Sequence, residues 1–240
     1  MSKEVFVSPK PPQSGVVALR ADEGRLPDRI LPIRCIDKKD AECWYPGRNL
    51  LDIPGPFRAC LIGPPSSGKS TAIKNMLLRA KPAFEEILVT HYDSEGSHEW
   101  DQIASYISNE LPDPLSIDRD KKRCLIIEDL NLRGLPADEA SKLNRLCGYT
   151  SSHCNLTIFI TCQNYSDLNS SIRRMCNVFI IFRSPDVSSM ATLSNRVGLT
   201  RKQMIEYLQK LDKPHDSLWI DLTPRTPAKV RINGFGLPSA

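Results

Sequence analysis

The stretch Gly63-Pro64-Pro65-Ser66-Ser67-Gly68-Lys69-Ser70 decides the fold. It fits G-x-x-x-x-G-K-[ST] without a mismatch, and its flanks fit as well. Phe57-Arg58-Ala59-Cys60-Leu61-Ile62 before it reads as a buried strand, and Thr71 to Arg79 after it reads as a helix. A strand feeding a Gly-rich turn that opens a helix is the arrangement that cradles nucleotide phosphates. Backbone N–H groups of the turn converge on the phosphates, and the helix N-terminus adds partial positive charge. Within Gly63 to Thr71, Lys69 is the residue expected to reach the β- and γ-phosphates, and the Ser70 hydroxyl to ligate Mg²⁺.

Working outward, short apolar runs alternate with helical stretches from residue 55 onward. Strands are expected at 57–62, 87–90, 124–127, 156–161 and 178–182, nearly continuous in apolar residues. Unbroken apolar runs, rather than alternating ones, belong to strands covered on both faces, hence to a parallel sheet. Helices are expected at 69–80, about 98–109, 137–150, 167–174 and 200–211. Ser217 to Thr223 and Val230 to Ile232 read as a strand or hairpin added at the sheet edge, with Pro224 and Pro227 marking the turn. The fold expected is therefore a three-layer α/β P-loop NTPase with a mostly parallel central sheet and a C-terminal edge strand or hairpin. It would occupy residues 51–240. Residues 1–50, with six prolines, read as an extended arm or a plain tail.

Bulk properties narrow the function less than the motif does. The 240 residues suit one α/β domain with a tail, and a net charge of +4 is too small to demonstrate nucleic-acid binding by itself. The N-terminus lacks the apolar stretch of a signal peptide, and no apolar run reaches the roughly 20 residues of a membrane helix. A soluble protein made in the cytosol is expected. The eight cysteines contain no C-x-x-C pair. Cys60, Cys124, Cys162 and Cys176 fall in or beside core strands, where the free thiol behaves as a small apolar group. A zinc site from Cys147, His153 and Cys154 has poor ligand spacing. Lys121-Lys122-Arg123 reads as solvated surface.

Three further features carry chemistry. Strand 124–127 ends in Glu128-Asp129, a pair of acids that suits Mg²⁺ and the activation of water; Glu128 by position faces the metal and Asp129 the water, though the roles can be exchanged. Strand 156–161 leads into Cys162-Gln163-Asn164, whose amide can orient the attacking water or sense the γ-phosphate; Gln163 is the first choice and Asn164 the reserve. Arg173 and Arg174 could act on a neighbouring subunit's nucleotide as an arginine finger, with Arg183 and Arg196 as lesser candidates. The bland alternatives are an Asn-containing turn and a solvated basic turn.

Taken in order, GPPSSGKST, LIIED, TIFITCQN, SSIRR, VFIIFR and SLWIDLT resemble the FtsK–HerA superfamily. Within it the sequence is similar to the DNA-packaging ATPases of poxviruses, iridoviruses, virophages and tailless icosahedral viruses. The resemblance covers about residues 57–232. It implies an ATP- and Mg²⁺-dependent motor in a ring of five or six subunits that draws double-stranded DNA into a capsid. Capsid or vertex proteins would be its partners, with no insertion into a membrane. The setting would be the host cytoplasm or nucleus at sites of virion assembly, or the virion itself. Lys69 and Ser70 would be the phosphate and metal ligands, Glu128/Asp129 the metal and water carboxylates, Gln163 the sensor and Arg173 or Arg174 the finger. The acids stand in the order Glu-Asp rather than the usual Asp-Glu, which leaves the division of roles open. Loops at His91 to His98 and Asn131 to Arg133 are candidates for touching DNA. The competing readings are a P-loop nucleotide or nucleoside kinase, an AAA+ or helicase-like ATPase, and a nucleotide-gated assembly factor.

Overall fold

The computed structural model describes residues 53, 55–80, 82–95, 98–128, 130–183, 187–223 and 229–234. All belong to one compact unit spanning Lys39–Ala240. The expected arm at 1–50, Asp129 and the turn prolines 224 and 227 lie outside the described residues. In chain order the elements are β1 (Arg58–Ile62), α1 (Lys69–Arg79), β2 (Glu86–His91), β3 (Tyr106–Ser108), β4 (Arg123–Glu128), α2 (Ala137–Arg145), β5 (Leu156–Cys162), α3 (Ser170–Met175), β6 (Val178–Phe182), α4 (Val187–Val197), α5 (Arg201–Gln209), β7 (Ser217–Asp221) and β8 (Lys229–Ile232).

The eight strands form one sheet in the order β3-β2-β4-β5-β1-β6-β7-β8. β1 to β6 are parallel to one another, and β7 and β8 close one side as a hairpin, β7 antiparallel to β6. The expected architecture is therefore the observed one. The unbroken apolar runs divide by strand periodicity into two cores. Cys60 and Ile62, Leu125 and Ile127, Ile158 and Ile160, and Phe179 and Ile181 face one side, where they meet Leu143, Ile172, Leu193 and Met204 of α2 to α5. Ala59 and Leu61, Cys124 and Ile126, Phe159, and Val178 and Ile180 face the other, against Ile73, Met76 and Leu77 of α1 and against Trp100. Phe159 is fully buried on β5 and edge-on to Phe57, with ring centroids 5.4 Å apart. Its truncation to alanine would cost about 3–5 kcal/mol.

Several local expectations are corrected. The helix expected at about 98–109 does not form. Residues 98–104 are turns that send Trp100 into the core, and Tyr106–Ser108 pair in parallel with Leu88–Thr90. Sheet hydrogen bonds and burial of the indole outweigh the modest helix propensity of this segment. Helix α4 was not anticipated. Ser188, Ser189, Thr192, Ser194 and Asn195 give it poor helix composition, although Met190, Leu193 and Val197 keep the helical spacing and are buried. The helix expected at 137–150 ends its regular α geometry at Arg145, widens into a π-turn over Leu146–Thr150 and continues to His153.

Within the basic run, Lys121 is exposed but Arg123 is buried on β4. Its guanidinium donates to Glu86 Oε2 at 2.5 Å and to Asp118 Oδ1 at 3.0 Å, so this arginine fastens β4 to β2 and to the preceding loop. Cys147 and Cys154 are buried, and His153 stacks on Tyr149 at 4.3 Å. Burial pushes the Cys147 thiol up to about 12, which keeps it protonated and makes it a poor zinc ligand. Among the described residues, no group of three or more His, Cys, Asp or Glu side chains is placed to hold a metal.

Candidate active site

The sheet order places the tips of three adjacent strands side by side. β1 delivers the Gly63–Ser70 loop, β4 ends in Glu128, and β5 lies between them and ends next to Gln163. The loop is anchored to β5 by Gly63 N–H donating to Cys162 C=O at 3.1 Å. Its tight course depends on two glycines. A Cβ on Gly63 would stand 2.7 Å from both Phe182 Cβ and Ser67 Oγ, and Gly68 has φ 103°, where side chains are strained. Gly68 C=O then accepts from Ala72 N–H at 2.9 Å and starts α1. No side chain caps this helix, and no acidic residue lies in its first turn, so its positive end remains directed into the loop.

Lys69 is buried at 8% exposure, with its ammonium donating to the carbonyls of Gly63 (2.9 Å) and Pro64 (3.0 Å). The charge is thus held in the concavity of the loop. Ser70 Oγ donates to Glu128 Oε1 at 2.5 Å. Glu128 is itself only 3% exposed, and its other oxygen accepts from Trp100 Nε1–H at 2.5 Å. A buried carboxylate beside a hydroxyl, both hard oxygen donors, suits Mg²⁺, which would offset the cost of burying that charge. Ser70 and Glu128 are therefore the residues that would hold the metal. When bound, Mg²⁺ supplies charge neutralisation at phosphate oxygens.

These groups line a cavity of about 720 Å³, together with Pro65, Ser66, Ser67, Gly68, Thr71 and Gln163. The structure thus brings together the phosphate loop, the Glu128 carboxylate and Gln163, as the sequence leads one to expect. It also distinguishes the two amides. Gln163 is exposed to the cavity, whereas Asn164 opens a 3₁₀ turn at Tyr165–Asp167, its N–H donating to Asp167 Oδ2 at 2.7 Å.

Arg173 and Arg174 do not line this cavity. α3 runs away from the strand tips and ends at Met175, whose carbonyl accepts from Arg58 Nε at the far end of β1. The Arg173 guanidinium lies over the Tyr165 ring at 5.3 Å, and the Arg174 carbonyl accepts from Arg196 at 2.8 Å. Arg183 lines a smaller cavity of about 370 Å³ on the other flank of the loop, with Pro64, Lys213 and His215.

Sequence reasoning missed two sets of residues. Trp100 was hidden inside a segment read as helix. Pro214, His215, Asp216, Ser217 and Asn233 form the opposite wall of the main cavity, delivered by β7 and β8. His215 lies at φ 68° and its Nδ1 is 3.0 Å from Ser67 C=O, a contact in which the ring nitrogen donates. Asn233 Nδ2 donates to Asp216 Oδ1 at 2.6 Å, and Asn233 Oδ1 accepts from Ser217 N–H at 2.9 Å. The Asn233 amide, first among the contacts, and the Lys213 N–H hold the Asp216 carboxyl below its ordinary value. The one available signal was the Pro214-His215 turn ahead of an apolar strand, which carries no motif.

No family model matches the sequence, and no curated protein matches it. Solved structures do share the fold. The genome packaging NTPase B204 from Sulfolobus turreted icosahedral virus 2, in complex with ATP-gammaS, is 17% identical with a TM-score of 0.53, over 74% of this chain and 97% of B204. B204, the DNA-packaging ATPase from Sulfolobus turreted icosahedral virus, is 15% identical with a TM-score of 0.53, over 73% of this chain and 96% of its own. ATPases 2 and 3 of EssC from Geobacillus thermodenitrificans are 13% identical with a TM-score of 0.50, over 72% of this chain and 38% of theirs. At these identities the likeness shows the fold, that of a P-loop NTPase.

Proposed function

We propose that this chain is a Mg²⁺-dependent ATPase that drives double-stranded DNA into a viral capsid, working as a ring with ATP sites at subunit boundaries. The observation that carries the reading is the convergence of Lys69, Ser70, Glu128 and Gln163 on one cavity, with the amide-bearing strand seated between the loop strand and the acid strand. That order suits attack by water on a γ-phosphate: the loop and metal hold the phosphates, an acid activates the water and Gln163 orients it. The shared fold with two viral B204 proteins, one named a genome packaging NTPase and one a DNA-packaging ATPase, supports packaging as the work done. Arg173 and Arg174 do not line the cavity of their own chain, so a finger role for either would be exercised on a neighbour's nucleotide. A ring of five or six subunits, capsid or vertex partners and a place at sites of virion assembly belong to the same proposal. The loop at 91–98 suits DNA poorly, because Asp93 and Glu95 make it acidic and it holds no lysine or arginine.

The test is Mg²⁺-dependent ATP hydrolysis measured against protein concentration, with and without linear double-stranded DNA. A rise steeper than linear and stimulation by DNA are expected, and Arg173→Ala and Arg174→Ala would then identify the finger. Hydrolysis proportional to protein and indifferent to DNA would overturn the motor, and phosphate transfer to a nucleoside would replace it with a kinase.

A further inference from the structure

We propose that Trp100 is a positioning residue for the Glu128 carboxylate, fixing which oxygen faces Ser70 and tying the connection between β2 and β3 to the metal-binding pair. The inference rests on the ATPase reading above and extends it to a residue outside every motif.

Trp100 is 1% exposed, and its Nε1–H is directed at Glu128 Oε2, while Ser70 takes Oε1. With one oxygen held on each side, the carboxylate cannot rotate about its last bond without losing a charge-assisted hydrogen bond. The identity of the donor matters. A lysine or arginine at this point would neutralise the carboxylate and compete with a cation. An indole occupies a lone pair and leaves the negative charge intact. Lys74 is kept on the ring instead: its Nζ lies 5.0 Å from the centre of the Trp100 ring and 3.2 Å from Glu99 Oε1. A cation over the ring face draws electron density from the indole and makes its N–H a stronger donor. The ring itself packs on the α1 side of the sheet, the face to which Glu128 also belongs by strand periodicity.

The position in the chain adds the second half of the inference. His91, the last residue of β2, pairs in register with Glu128. The chain leaves the sheet there and returns with Glu99 and Trp100, Glu99 lining the main cavity. One end of the connection is therefore the strand partner of Glu128, and the other bonds its carboxylate.

The experiment compares full-length wild type with Trp100→Phe, which keeps an aromatic ring and removes the N–H. Binding of a fluorescent ATP analogue is measured in EDTA and across a Mg²⁺ titration. In EDTA the two proteins bind alike. The Mg²⁺ concentration at half-effect rises about tenfold in the variant, in line with the loss of a hydrogen bond to a charged group. A double-mutant cycle with Glu128→Gln gives strong coupling, the second substitution adding little to the first. An unchanged Mg²⁺ dependence, or additive effects, overturns the assignment. If wild type itself gains no affinity from Mg²⁺, the ATPase reading fails first, which is a separate result. Should Trp100→Phe not fold, indole ¹⁵N–¹H spectra of the wild type carry the test. The Trp100 signal shifts on adding Mg²⁺ and the analogue and moves in Glu128→Gln; a signal indifferent to both overturns the assignment.

Discussion

The two walls of the main cavity are both polar, yet they are built differently. On the wall at the tip of β4, the donors of Ser70 and Trp100 converge on a single buried carboxylate. On the wall formed by the β7–β8 hairpin, the polar groups bond mainly to each other: Asn233 to Asp216, Ser217 to Asn233, and Lys213 to Asp216. Only His215 reaches across to the phosphate loop, and it does so through a backbone carbonyl. The first arrangement presents a buried carboxylate oxygen pair at one point, which is what a hard cation requires. The second neutralises its own dipoles and holds a turn in shape. Lining a cavity is thus no measure of chemical role; where the hydrogen bonds terminate distinguishes an active wall from a supporting one.

Substitutions on the two walls test this contrast. The largest effect is expected from Glu128→Gln, which keeps shape and removes the charge. Hydrolysis, read as phosphate release, should fall by about 10²-fold or more while the melting temperature holds or rises, since a buried charge is relieved. Asn233→Ala should do the reverse. Loss of its hydrogen bonds costs about 1 kcal/mol, roughly 2–4 °C in melting temperature, with turnover per folded molecule nearly intact. Turnover falling as far as in Glu128→Gln would erase the distinction between the walls. The smallest effect is in acid. The Asp216 carboxyl is held below its ordinary value in the folded protein, chiefly by the Asn233 amide. It therefore contributes stability above the ordinary carboxylate range and loses that contribution as pH falls through its lowered value. Melting temperatures of wild type and Asn233→Ala should accordingly approach each other below about pH 4.

The wall that holds Glu128 was legible where chemistry imposes a spacing. The glycines of the loop, Lys69, Ser70 and the acid closing an apolar strand all stand at fixed offsets from elements whose periodicity is plain. Even the neighbouring of Gln163 and Glu128 follows once the central strands are ordered. Trp100 was obscured because its segment, 98–109, has helix-compatible residues and no glycine or proline until Pro112. The supporting wall was invisible for another reason. Asp216 and Asn233 are 17 residues apart on a hairpin and meet only when β7 pairs with β8. Helix α4 was obscured by serines that propensity assigns to turns, and only the spacing of Met190, Leu193 and Val197 favoured a helix.

The thiols of this domain have one more consequence. Cys60, Cys124, Cys147, Cys154, Cys162 and Cys176 are all buried, and Cys60 Sγ lies 3.7 Å from Cys162 Sγ beneath the phosphate loop. Burial raises the pKa of Cys60, Cys124, Cys147 and Cys176, so these sulfurs stay protonated and unreactive while the chain is folded. An alkylating reagent can reach them only through opening of the sheet, at a rate set by the free energy of that opening. The protein therefore carries an internal clock of its own unfolding. Mass spectrometry after a timed pulse of iodoacetamide should find Cys60, Cys124, Cys147 and Cys176 labelled together rather than one by one, and slowed in unison when a ligand fills the cavity.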